Sequence, residues 1–120
     1  MKALRRFLWG FEVAIRGFLW ALRTQRHLQI HLLALTVVTA SGLFFRLSPG
    51  EWLAVALASG FVIGTELLNT AVEELCNHLW PHPHPLAARI KDVAAAAVLF
   101  AALTALVVGM IIFGPRLVSM

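Results

Sequence analysis

Two carboxylates and two carboxamides, Glu66, Asn69, Glu73 and Asn77, recur at i, i+3, i+7 and i+11. On a helix that spacing lines all four along one stripe. They lie in a largely apolar stretch from Trp52 to about Leu79. Helical rise counted from Trp52 carries Glu66 ~21 Å and Glu73 ~32 Å along the axis. The first then lies inside a hydrocarbon layer of ~30 Å and the second at its boundary. A carboxylate at that depth is costly and is functional by default. Desolvation raises a carboxyl's proton affinity, which suits a general base acting on an alcohol. At the wet boundary a carboxylate suits a hard divalent cation, which takes carboxylate oxygen and often phosphate. Lys91 and Asp92 add a cation for phosphate beside a further candidate metal or hydroxyl partner. Taken alone, Lys91–Asp92 reads as a boundary charge pair and the stripe as a polar cluster that aligns helices. Together the groups describe a place where an aqueous phosphate donor meets a lipid alcohol, built without a Walker or kinase glycine loop.

The elements that must hold these groups follow from composition. Sixty per cent of the 120 residues are apolar and only 13 per cent are charged. A soluble domain this small has too much surface to hide so much hydrocarbon. Soluble enzymes, disordered regulators and disulfide-stapled modules are thereby disfavoured, and the lone Cys76 excludes an internal disulfide. The expected fold is an all-α membrane protein formed as one domain over residues 1–120. An amphipathic helix over residues 2–26 precedes three membrane helices at about 28–45, 52–79 and 86–113. In the first helix Lys2, Arg5, Glu12, Arg16 and Arg23 share one face, opposite Leu4, Phe7, Leu8, Phe11, Ile15 and Leu19. That pattern fits a helix lying in the membrane surface, or equally one packed against its own bundle. In the first span, Leu28 to Phe45, His31 is the sole ionisable group. Arg46 to Glu51 reads as a turn, and the alternating prolines of Trp80 to Pro85 stop the second span. Pro85 then serves as first-turn proline of the last helix.

Basic residues give the orientation. Lys2, Arg5, Arg6, Arg16, Arg23 and Arg26 precede the first span, and Arg89 and Lys91 lie between the second and third. Arg46 and Arg116 stand on the other side. This eight-to-two split puts the N-terminus and the proline loop in the cytoplasm and the C-terminus outside. Positive charge clustered beside hydrocarbon reads as topology and lipid attraction, with no nucleic-acid partner. His78, His82 and His84 could form a transition-metal site. The alternating prolines make a fixed chelate awkward there, and no cysteine is suitably spaced.

The E-x-x-N-[ST]-A-x-E run from Glu66 to Glu73, followed by the K-D-x-A run from Lys91 to Ala94, resembles the prokaryotic diacylglycerol kinase family. That family of small integral-membrane enzymes also contains undecaprenol kinases. Residues 23–31, ending in Ile30 and His31, resemble the start of its first membrane helix, and the likeness covers roughly residues 6–115. The resemblance implies a homotrimer in the bacterial cytoplasmic (inner) membrane that phosphorylates undecaprenol or diacylglycerol with ATP and Mg2+. It implies Glu66 as catalytic base and Glu73 as ligand of the metal carried with ATP. Asn69, Lys91, Asp92, the loop residue His84 and the surface-helix residue Arg6 are implied to lie near the nucleotide.

Two positions depart from the family's pattern. Many relatives have Glu where this chain has Gln25, and that Glu helps hold metal; Gln keeps one oxygen ligand and loses a charge. Many have Asp in place of Asn77. These departures are what favours the alternative, a non-catalytic membrane protein derived from the family and acting as an assembly partner. The Thr24, Gln25, Arg26, Ile30 and His31 pattern looks more like the branch with undecaprenol kinases.

Overall fold

A computed structural model describes residues 1–120 as four helices without a strand. They are α1 (Lys2–Thr24), α2 (Arg26–Phe45), α3 (Pro49–Leu79) and α4 (Pro85–Val118). The last three are each long and apolar enough to cross a membrane. The chain is thus the expected all-α membrane protein, with several boundaries moved.

The first correction is at the start. The amphipathic helix ends at Thr24, not residue 26, and the next helix begins at Arg26, before Leu28. Only Gln25 separates them, in an extended conformation (φ −108°, ψ 110°). Neither proline nor glycine marks this break. Polar side chains accommodate it: Gln29, in the first turn of α2, donates its Nε2–H to the Leu22 carbonyl at 2.8 Å. The Gln25 N–H reaches the Ala21 carbonyl at 2.8 Å. Carbonyls left over at the end of α1 are thereby satisfied.

The second correction is at α3, which starts at Pro49 and absorbs half of the expected turn. Ser48 and Glu51 form a reciprocal capping box: Ser48 Oγ accepts from Glu51 N–H at 3.2 Å, and Glu51 Oε1 accepts from Ser48 N–H at 3.0 Å. Pro49 fits the first helical position because its missing N–H would lack a helical partner anyway. What remains of the turn is Arg46, held left-handed (φ 56°), and Leu47, whose N–H closes back on the Gly42 carbonyl at 3.1 Å. The last helix does start at Pro85, capped by His84 Nδ1, which accepts from Leu86 N–H at 3.0 Å. It outruns the expected end at residue 113 and continues through Pro115 to Val118.

α3 and α4 form an antiparallel hairpin tied at both ends. At one end Arg116 forks onto Glu51, with Nη1–Oε2 2.7 Å and Nη2–Oε1 2.8 Å. At the proline-loop end the Lys91 ammonium donates to Asn77 Oδ1. α2 leans on the hairpin near the Arg116 end, where Leu47, Val55 and Ile112 are buried among Val38, Phe45, Trp52 and Phe113. α1 stands apart. Its one buried residue is Ala21, beside the hinge, while Phe7 is 62% and Phe11 57% exposed. The molecule measures 53 × 47 × 21 Å. α1 thus meets the bundle around Ala21, and the rest of its apolar face stays exposed, free for an acyl boundary.

The tightest helix approach is at Gly42, where a Cβ would sit 2.6 Å from Trp52 Cη2 and 2.9 Å from Leu47 Cδ1. Both neighbours are held in the packed end of the bundle, so neither can give way freely. Gly42→Ala should destabilise the protomer by about 1–3 kcal/mol, the usual cost of overpacking. Loss of helicity with denaturant in detergent would measure it, and an unchanged midpoint would contradict this packing.

Candidate active site

α3 carries the polar stripe, and burial falls off along it. Glu66 is 4% exposed, Asn69 and Glu73 are half-buried, and Asn77 is exposed. Each group then has a different partner.

Glu66 faces α2, where His31 Nε2 lies 3.1 Å from its Oε1. Its backbone carbonyl accepts from Thr70 Oγ at 2.9 Å, which also satisfies that buried hydroxyl. One turn on, Asn69 donates its Nδ2–H to Glu73 Oε1 at 3.2 Å, linking the second and third members of the stripe. The same carboxamide leaves its Oδ1 buried with no donor. A buried acceptor without a partner costs free energy, about 1–3 kcal/mol. Beside a carboxylate, what would relieve it is a donor or a cation. Asn69 Oδ1 and Glu73 are both oxygen ligands, the kind a hard divalent metal takes, so these residues fit magnesium.

At the open end, the Lys91–Asn77 contact joins α4 to α3. Above it lies a cleft of about 700 Å³, walled by Asn77, Trp80, His82, His84 and Lys91. Trp80 and His84 stand ring to ring with centroids 5.6 Å apart. His84 Nδ1 is committed to capping α4, so the nitrogen left for other contacts is Nε2. A second cleft, apolar and about 490 Å³, runs away from His31 between α2 and α4 past Ala34, Ala102, Ala105 and Gly109. A wet, basic cleft and a greasy one thus lie at opposite ends of the same polar stripe.

Not every residue singled out in the sequence joins this arrangement. Arg6 lies exposed on α1 and makes no hydrogen bond through its side chain. Gln25 spends its Nε2–H on Thr24 Oγ1 at 3.2 Å, and no hydrogen bond joins it to Glu73. Asp92 is exposed and makes no hydrogen bond through its side chain. No three His, Cys, Asp or Glu side chains gather within one protomer, including the three loop-side histidines. Asn77, a departure from the usual Asp, keeps an oxygen for Lys91 without the charge. His31 and Thr70 are the residues that spacing arguments passed over. The signal for His31 was present: a lone ionisable group in an apolar span has a partner.

The sequence family described as prokaryotic diacylglycerol kinase matches residues 12–113. The chain is 39% identical over 114 residues to the undecaprenol kinase of Bacillus subtilis, covering 95% of this chain and 93% of that protein. It is 36% identical over 129 aligned positions to the diacylglycerol kinase of Synechocystis sp., covering 99% of this chain and 73% of that one.

Proposed function

Because the chain belongs to the prokaryotic diacylglycerol kinase family, we propose that it is a lipid kinase that uses Mg-ATP to phosphorylate a membrane alcohol, undecaprenol or diacylglycerol, at the cytoplasmic membrane interface. The observation that carries the reading is Glu66, a carboxyl only 4% exposed, on a stripe that leads from an apolar cleft to a basic one. The lipid's chain occupies the apolar cleft and brings its hydroxyl to Glu66. Glu66 takes the hydroxyl proton as the lipid oxygen bonds to the γ-phosphorus, and the bond to the ADP oxygen breaks. Lys91 offsets phosphate charge beside the Trp80–His84 rings, and Arg6 and Asp92, which stand apart from the cleft in a single copy, reach the nucleotide through assembly with neighbouring copies. Asn69, Glu73 and Gln25 would hold magnesium, which when bound neutralises charge on the phosphates. Identity to the B. subtilis enzyme and the run ending in Ile30 and His31 favour undecaprenol as the acceptor.

Orientation and assembly complete the proposal. Basic residues divide eight to two, which favours a cytoplasmic N-terminus and proline loop and an external C-terminus in the bacterial inner membrane, where ATP meets the basic cleft. The active unit is a homotrimer. Only 13 of 120 residues are buried in one protomer, and Asn69 Oδ1 lacks a donor there, so neighbouring copies have surface to cover and a group to satisfy. The alternative, a non-catalytic assembly partner, draws on Gln25 and Asn77. Radiolabelled phosphate transfer from Mg-ATP to undecaprenol or diacylglycerol in parallel mixed micelles separates the two: no lipid-dependent transfer to either leaves the non-catalytic reading.

Glu66→Gln should lower turnover by ~10²–10⁴-fold, the usual worth of a positioned base. Fold and oligomer should survive, since the near-isosteric amide removes a costly buried charge. Near wild-type turnover in that variant would remove Glu66 from the mechanism.

Magnesium titrations test the metal residues. Glu73→Ala should raise the magnesium requirement far more than it alters lipid affinity, and Gln25→Glu should lower it, carboxylate being the better ligand. If neither titration moves, the metal is held elsewhere.

Ala95 and Ala96 point away from the protomer's own helices, and small residues let membrane helices approach closely. Leu at either site should weaken cross-linked trimer and activity together while leaving protomer helicity intact. A fully active monomer in detergent would exclude the trimeric unit.

A further inference from the structure

We propose that His31 is the positioning partner of Glu66: its Nε2–H holds one carboxylate oxygen and leaves the other free for the lipid hydroxyl. The inference rests on Glu66 being the base, as read above, and adds the group that makes it one.

Four observations converge on His31. Its Nε2 stands 3.1 Å from Glu66 Oε1, across the α2–α3 interface. The hydrogen bonds nearby go elsewhere, leaving His31 as the carboxylate's ion-pair partner: Asn69 turns its amide to Glu73, and Thr70 takes the Glu66 backbone carbonyl. His31 is the one ionisable group from Leu28 to Phe45, an otherwise apolar run. It also lines the apolar cleft of about 490 Å³ and a smaller one of about 100 Å³ beside Leu35, Ser59 and Ile63, so it stands where a lipid chain and the carboxyl would meet.

The chemistry follows from donor and acceptor counting. An ionised carboxylate only accepts, and an unprotonated imidazole nitrogen also only accepts. Two such lone pairs at 3.1 Å repel unless a proton lies between them. A proton on Nε2 leaves the carboxylate ionised and able to take another proton at its far oxygen, Oε2. A proton on Oε1 would instead spend the base before the substrate arrives. An Nε2–H facing Oε1 therefore sets the direction of Glu66, whose flexible side chain would otherwise sample several rotamers. During transfer the lipid O–H bond breaks and its proton goes to Oε2. The lipid oxygen bonds to the γ-phosphorus, ADP departs with its electron pair, and the imidazole keeps its own proton throughout.

The test compares substitutions that separate the N–H from the ring. His31→Gln keeps an N–H donor at about the reach of Nε2, His31→Asn has the same amide one methylene short, and His31→Phe keeps bulk alone. Turnover and the KM values for lipid and ATP are measured in mixed micelles, with helicity and oligomer size checked for each variant. His31→Phe and His31→Asn should lose about 10- to 100-fold in kcat, the scale of a misplaced reacting group, with both KM values little changed. His31→Gln should recover most of the loss. Should His31→Phe fail to fold, the Gln–Asn comparison carries the test alone. Wild-type kcat in His31→Phe, no advantage of Gln over Asn, or a loss confined to lipid KM would each overturn the proposal. Glu66→Gln is assayed beside them. If it stays active, the reading of Glu66 as base fails. If it is inactive while His31→Phe and His31→Asn turn over normally, only the role of His31 fails.

Discussion

A carboxyl group buried in a helix apolar enough to cross a membrane is the constraint to which the rest of this fold answers. Glu66 is 4% exposed within a helix long and apolar enough to cross a membrane, and a lone span could not shelter it. Hydrocarbon holds no water, so a polar group on a membrane-crossing helix must find its partner within protein. α2 supplies His31, α3 supplies its own Thr70 for the backbone, and the remaining faces are closed by packing. Three spans in one small chain are thus a way of surrounding one acid.

The hairpin of α3 and α4 fixes how far that acid stands from each boundary. Both ties lie at helix ends, one a guanidinium–carboxylate fork and the other an ammonium on a carboxamide. Glu51 serves two tasks, since the carboxyl that pairs with Arg116 also closes the cap on Ser48. Helix start and hairpin register are in this way set by one side chain. The apolar middle has no such directional contacts, and its small residues leave room beside α2 for the greasy cleft.

Much of this was legible in the residues, because membrane helices advertise themselves by length and because a polar stripe has a fixed helical spacing. The order of spans, the proline break and the sharing of one face by Glu66, Asn69, Glu73 and Asn77 follow from local rules alone. The errors lie where the chain is locally ambiguous. Thr24 and Gln25 contain no strong breaker, and the side chain that eases the break, Gln29, is several residues downstream. Ser48 and Glu51 did carry a readable capping signal, which the reading of a six-residue turn overlooked. The Glu66–His31 approach joins residues from different helices, and no periodicity within one helix can announce it. Arg6, Gln25 and Asp92 remain apart from the stripe in one protomer, and nothing in their spacing foretold that separation.

The single extended residue between α1 and α2 gives the molecule a lever. Twenty-three helical residues make an arm of roughly 34 Å, pivoting on the two backbone torsions of Gln25. A rotation of about 10° there sweeps the tip through roughly 6 Å on that arm length, while the groups on α3 stay fixed. The Gln29 amide, the Gln25 N–H on the Ala21 carbonyl and the contacts around Ala21 resist the swing. The geometry is consequently tied at both ends on the hairpin and held at a single residue on the arm.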